Sequence, residues 1–294
     1  MIIRPMTPAD LSYAASLTQA EGWLSETIEE FDGFHARDPQ GCLVAERDGR
    51  RVAIGVATGY GDTGFLGQIV VAPEARGQGL GAAMVAALLE RLRAAGVRGV
   101  WLDATTAGAP LYERLGFRKV QSSLRYAGTL AGGDEGAMHG VRPMTQADID
   151  RVCALDRLWW GADRGWFLRR RLALHPDLCH VLDPKLDGPD GIAGYVLVRR
   201  RAGRVWVGPW CAAPHVERPE VLLHALARAG DGAPVPMPVP IHAGVLASSA
   251  RARAALERLG FAPGFEHPWR MVWGEDAGLA RGAEVLANGT SAKG

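Results

Sequence analysis

Arg76, Gly77, Gly79 and Gly81 stand where an apolar run, residues 64–71, gives way to a long helical pattern. Glycines at such a junction let the backbone bend and come close to a ligand. The first amides of the following helix have no intrahelical partner, and the helix dipole adds partial positive charge. The combination is an anion site suited to a diphosphate. Two side chains further on carry acid–base chemistry. Tyr112 is a phenol, with an ordinary pKa of about 10, able to give a proton or hydrogen bond to a leaving group. It also suits a half-buried place beside Leu111 and Leu115. Asp103 ends an expected strand and suits a cap on the helix that follows.

The same glycines admit a second reading. Gly77-Gln78-Gly79-Leu80-Gly81-Ala82 fits the loose dinucleotide pattern GxGxxA, and Asp103 lies on a strand end as that fingerprint asks. A dinucleotide loop, however, directly follows the first strand of a βαβ unit. Here Pro73 and Glu74 intervene, and antiparallel-looking strands precede them. A kinase-type phosphate loop is excluded, because no Gly-Lys-Ser/Thr follows.

The elements that must position these residues follow from periodicity and turn residues. A strand is expected over 2–4, helices from Thr7 or Pro8 to Ala20 and over 25–37, and strands over 41–47, 51–59 and 64–71. The helix after the glycines carries an apolar stripe, Val85, Leu88, Leu89 and Leu92, and ends at Gly96. A strand over 97–103, a short helix over 108–115 and a strand after Phe117 complete an α/β mixed sheet with helices on both faces.

The chain then repeats itself. Residues 3–11, IRPMTPADL, return as 141–149, VRPMTQADI; residues 113–117, ERLGF, return as 257–261. Two landmarks in the same order imply a duplicated unit too large for a solenoid repeat. The expected organisation is a first domain over 1–126, a Gly-rich linker over 127–138, a second domain over 139–274 and a flexible tail over 275–294. In the second copy the glycine loop is replaced by Glu217-Arg218-Pro219-Glu220. A proline removes an amide and two carboxylates repel a diphosphate, so only the first copy is expected to bind one.

Composition narrows the class. Apolar residues at 48% and charged residues at 22% describe an ordinary globular protein. A formal net charge of +1 without a basic block gives no reason to expect a nucleic-acid partner. No signal peptide or membrane span is read, the four scattered cysteines form no CxxC, and the histidines lack ligand spacing, so no metal and a cytoplasmic setting are expected.

The segment Val71-Ala72-Pro73-Glu74-Ala75-Arg76-Gly77-Gln78-Gly79-Leu80-Gly81, with Leu111-Tyr112-Glu113-Arg114-Leu115-Gly116-Phe117 after it, resembles the two signature segments of the GNAT superfamily of acyl-CoA N-acyltransferases. The resemblance covers residues 2–126; the second half looks like a degenerate GNAT-like domain, on Trp160-Gly161-Ala162-Asp163-Arg164 and Gly208-Pro209. It implies two tandem domains, each a mixed, mostly antiparallel sheet flanked by helices. It implies acetyl-CoA as co-substrate and a primary amine as acceptor, and the near-neutral charge of the chain favours a small amine over a basic protein tail. The amides of Arg76, Gly77, Gln78, Gly79, Leu80, Gly81 and Ala82 would hold the pyrophosphate. The backbone of Ile69, Val70 and Val71 would hold the pantetheine arm and thioester carbonyl, and Tyr112 would face the sulfur. The resemblance makes Asp103 the first candidate for a general base. Trp23, Gln68 and Trp160 become candidates for the acceptor site. Glu21 and Glu26, on the segment that walls the cleft in this family, read as solvated charges. The chain departs from the family twice: Gln68 stands on the strand where many members have a carboxylate, and Thr105-Thr106 where an Asn is common. The second domain is expected to stand in for a dimer partner in a monomer. The alternatives are a non-catalytic acyl-CoA binding protein and, on GxGxxA, a nucleotide-dependent oxidoreductase.

Overall fold

A computed structural model describes residues 1–130, 139–201, 203–226 and 239–289. They form two compact units, one of Met1–Val120 with Pro268–Ala277, the other of Gln121–His267 with residues 278–289. The elements in chain order are β1 (Ile2–Pro5), α1 (Leu11–Ala20), α2 (Ile28–Arg37), β2 (Cys42–Arg47), β3 (Arg50–Tyr60), β4 (Thr63–Val71), α3 (Leu80–Ala94), β5 (Gly99–Ala104), α4 (Ala109–Arg114) and β6 (Arg118–Leu130). There follow β7 (Val141–Pro143), α5 (Ile149–Trp160), α6 (Gly165–Leu174), β8 (Cys179–Leu182), β9 (Gly194–Arg201), β10 (Arg204–Ala212), α7 (Val221–Leu226), β11 (Val239–Leu246), α8 (Ala250–Arg258), β12 (Ala262–Pro263), β13 (Trp269–Gly274) and β14 (Val285–Ala287). No helix among the described residues is long and apolar enough to cross a membrane.

In the first unit the sheet runs β1-β2-β3-β4-β5-β13. Every described neighbour pair is antiparallel except β4–β5, which is parallel. The apolar stripe of α3 buries Met84, Val85, Leu88 and Leu92 against Leu66, Val100, Leu102 and Met271. One extra residue in β4 makes a bulge: Ile54 pairs with Val70, yet Val56 pairs with Gly67. Gln68 sits in it with a left-handed φ of 54°, a conformation that a non-glycine residue adopts at some cost and that recurs at functional sites.

The second unit has the order β6-β11-β10-β9-β8-β7, with β12 on β6 and β14 on β10. Its core gathers Trp210, Leu222, Leu223, Leu256 and Phe261.

The repeated sequence landmarks prove to be structural fastenings. Thr7 donates to Asp10 from its amide at 2.7 Å and its hydroxyl at 2.8 Å, and Arg4 donates to the same carboxylate at 2.8 Å. Thr145 and Arg142 repeat the set on Asp148, each bond at 2.8 Å. The ERLGF echo closes α4 and α8: Phe117 N donates to Tyr112 O and Phe261 N to Leu256 O, each at 3.0 Å.

The two copies exchange their closing strands. β6 follows the first copy in sequence but pairs with β11, from Ser123↔Leu246 to Leu130↔Val239. β13 follows the second copy but pairs with β5, from Gly99↔Gly274 to Ala104↔Trp269. This corrects the expected boundaries of 126 and 139–274. Residues 127–130 of the expected linker are strand, and residues 131–138 lie outside the described residues. Gly128 is there for packing, because a Cβ would lie 2.2 Å from the Phe261 ring. The expected tail from 275 is also corrected as far as it is described: Val285, Leu286 and Ala287 form a buried strand. Composition hid that apolar run among glycines and alanines.

Candidate active site

The glycine loop enters α3 through left-handed backbone at Gly77 (φ 74°) and Gly79 (φ 77°). A Cβ at either would meet no atom within 4 Å, so backbone conformation selects glycine there and the space above the loop is open. No side chain caps α3. Ala83 N is the first amide to bond back, to Gly79 O at 3.1 Å; those of Leu80, Gly81 and Ala82 precede any intrahelical acceptor. The residues present therefore fit a diphosphate. The loop is braced by Arg76, whose guanidinium pairs with Glu21 and donates to Val71 O at 3.0 Å. Gln78 is exposed and takes a hydrogen bond from Arg47.

From the loop the site continues along β4. This strand pairs with β5 only over Thr63–Phe65 and Gly99–Trp101, and then the two part. Ile69, Val70 and Val71 lie beyond the parting, so a parallel partner no longer takes the backbone groups on that edge. At the bulge Gln68 is 5% exposed and its Nε2 donates to Glu26 Oε2 at 2.5 Å. Ser25 Oγ donates to Glu26 Oε1 at 2.8 Å. Sequence reading took Glu21 and Glu26 as solvated charges. Glu21 is exposed and, from solvent, pairs with Arg76 of the loop, whereas Glu26, 6% exposed, engages the bulge. The half-buried Trp23 lies between them, its carbonyl accepting from Glu26 N at 3.1 Å.

α4 is brought against the loop: Leu111 Cδ2 lies 3.2 Å from where a Gly81 Cβ would be. Tyr112, on the next position, is half-buried and meets Phe117 edge-on at 5.7 Å. Burial pushes its phenol up to about 12, so it remains a proton donor across the physiological range. Asp103 does not fit the role of a free general base. Arg270, from β13, donates to it twice, from Nε at 2.6 Å and Nη2 at 3.2 Å, and both side chains are 1% exposed. A carboxylate so paired, both oxygens taken by one guanidinium, holds a strand junction. Nothing near Asp103 in sequence announces Arg270, which is 167 residues away.

Comparison with known proteins agrees with this geometry. Residues 9–117 match the GNAT acetyltransferase family, and residues 152–285 match a GNAT acetyltransferase domain. The chain belongs to the GNAT family. It is 38% identical over 114 residues to a mycothiol acetyltransferase of Thermobispora bispora, covering 35% of this chain and 39% of that protein. It is 40% identical over 62 residues to a glucosamine 6-phosphate N-acetyltransferase of Trypanosoma brucei brucei, covering 21% and 42%. The chain thus spans about two fifths of the length of these curated relatives. A Pyrococcus horikoshii protein solved as a candidate acetyltransferase shares the fold over 100% of this chain and 95% of its own, at 21% identity and a TM-score of 0.78. A tandem GNAT protein from the clavulanic acid biosynthesis pathway does so over 93% and 98%, at 14% identity and a TM-score of 0.63.

The second GNAT domain lacks the corresponding groups. Glu220 stands where Gly79 stands in the first, and it is buried and paired with Arg258 at 2.8 Å. Burial alone would raise its carboxyl, but the hydrogen bonds from Arg258 and its own amide hold it below the usual range. The amides there are already spent: Val221, Leu222 and Leu223 donate to Arg218, Pro219 and Glu220 carbonyls at 3.2, 3.2 and 2.9 Å. Leu256 takes the place of Tyr112 and is fully buried. Trp160, read from sequence as a substrate contact, is also fully buried, with the Arg164 guanidinium 4.3 Å from its ring centroid. It is a core residue, not a contact for an acceptor. Arg164 pairs with Asp156 at 2.6 Å, while the neighbouring Asp163 accepts from Gly165 N at 2.8 Å.

Proposed function

We propose that the first unit is an acetyl-CoA-dependent N-acetyltransferase acting on the primary amine of a small molecule. One observation carries this reading: the uncapped start of α3 and the edge of β4 beyond its ladder with β5 form one continuous run of backbone, from open diphosphate loop to bulge. The acetyl-CoA thioester supplies the acyl group. The amides of residues 77–82 hold the diphosphate, and the backbone of Ile69–Val71 holds the pantetheine arm and polarises the thioester carbonyl. The acceptor nitrogen forms its bond to the carbonyl carbon as the carbon–sulfur bond breaks. Tyr112 gives its proton to the leaving sulfur, and Glu26, oriented by Gln68 and Ser25, takes the proton that the amine loses. The names of the two curated relatives, each with a small-molecule substrate, support a small acceptor.

Calorimetric titration with acetyl-CoA tests the reading. One site per chain is expected, weakened at least about 100-fold by Gly79→Glu, which puts a charged side chain at a left-handed position on the diphosphate. Absence of binding refutes it. The fixed Asp103–Arg270 pair favours a second reading, a binding protein without turnover; acetyl transfer to any amine in a panel, with release of free thiol, refutes that one.

A further inference from the structure

β10 and β11 repeat the parting of β4 and β5. They pair in parallel over Val205–Val207 and Ile241–Ala243 only, and β10 carries a register shift against β9 between Val207 and Trp210, as β4 does against β3. In the first unit no described strand lies in the gap. In the second, β14 fills it. Trp210 pairs with Ala287 and Cys211 with Val285, antiparallel. Ala212 N donates to Glu284 O at 2.9 Å on one lip, and Asn288 N donates to Gly244 O of β11 at 3.0 Å on the other. Ser249 Oγ and Arg251 Nη1 each add a bond, to Val285 O and Ala283 O, both at 3.2 Å. Val285, Leu286, Ala287 and Asn288 are 1–5% exposed. Gly208 admits the strand: a Cβ there would lie 1.8 Å from Asn288 O.

We propose that residues 283–288 are a built-in ligand of the second domain. On the reading given above for the first unit, they occupy the gap that takes a pantetheine arm. The chemistry of the two occupants is alike, since both are extended chains that offer amide N–H and C=O groups to a strand edge. The end that would take phosphate is gone, with Glu220 and the spent amides in its place, so what remains is a slot for an uncharged backbone. The chain supplies that backbone in cis. The second domain is thereby held in a loaded shape without cofactor, and the chain has one acyl-CoA site.

The test compares the intact chain with one ending at Gly282. A synthetic peptide of residues 283–290 is expected to bind the shortened chain one-to-one and raise its Tm, a scrambled peptide to do neither, and the intact chain to bind no peptide. A shortened chain that keeps its circular dichroism and Tm and ignores the peptide overturns the proposal. If the shortened chain does not fold, hydrogen exchange on the intact chain decides. The amides of residues 285–288 are expected to exchange at least about 100-fold more slowly than in an unstructured peptide; exchange at the free-peptide rate overturns the proposal. Saturating acetyl-CoA should protect residues 77–82 and leave 285–288 unchanged, whereas release of 285–288 would mark a working second site and overturn it. If acetyl-CoA binds to neither unit, the reading of the first unit fails, and peptide binding still decides this one.

Discussion

Burial keeps the Tyr112 phenol neutral, pushing it up to about 12, and the proposed mechanism uses it as the donor. Tyr112→Phe is expected to lower kcat by about 100-fold or more while the Kd for acetyl-CoA stays within about threefold. The wild-type rate should show no alkaline fall from this group below about pH 10. Glu26→Gln keeps a side chain that Gln68 can bond but removes the proton acceptor. It should cost about 100-fold in kcat with an unchanged Tm; an unchanged rate would remove Glu26 from the mechanism. At this scale the sequence was legible for backbone and packing, in the left-handed turns at Gly77 and Gly79 and the half-buried place of Tyr112 beside Leu111 and Leu115. It was not legible for Glu26, whose role depends on a bulge in β4, nor for Asp103, whose partner arrives from the far end of the chain.

The elements are fastened by the duplicated Arg–Thr–Asp set. The Asp10 and Asp148 carboxyls are both held below the ordinary 3.8, Asp148 at about 2, first by hydrogen bonds from Arg4 and Arg142 and against the opposing effect of burial. A carboxyl depressed on folding contributes stability that is complete above its unfolded pKa and fades as pH falls through the folded one. Asp10→Asn and Asp148→Asn should each cost about 1–3 kcal/mol near neutral pH. Denaturant titrations of wild type and variants should converge as the pH drops from 4 towards 2. The strand and helix positions themselves were readable from periodicity, including the stripe on α3, because local burial alternates as the sequence does.

For the whole molecule the strand exchange has a direct consequence. β13 brings Met271 and Val272, both fully buried, and Arg270 into the first unit. A chain ending at His267 leaves β5 an open edge and Asp103 without Arg270. It should lose acetyl-CoA binding and solubility, whereas a chain ending at Ala277 should keep one acetyl-CoA site. Retained binding in the shorter chain, measured by calorimetry, would show that the first unit stands without β13. The two units therefore are not the two halves of the sequence, although duplication made the halves look like the natural domains.

The sequence by itself determined the duplication, the element order of the first copy, the GNAT fold of each copy and the loss of the glycine loop from the second. These are local signals: glycines at left-handed positions, apolar periods and short repeated motifs act over a few residues and survive in one dimension. Tertiary structure decided which copy owns each closing strand, what Asp103 and Glu26 bond to, and that the apparent tail fills the second gap. Those outcomes depend on pairings between residues far apart in the chain, where backbone edges and buried charges are satisfied by whichever segment the fold delivers.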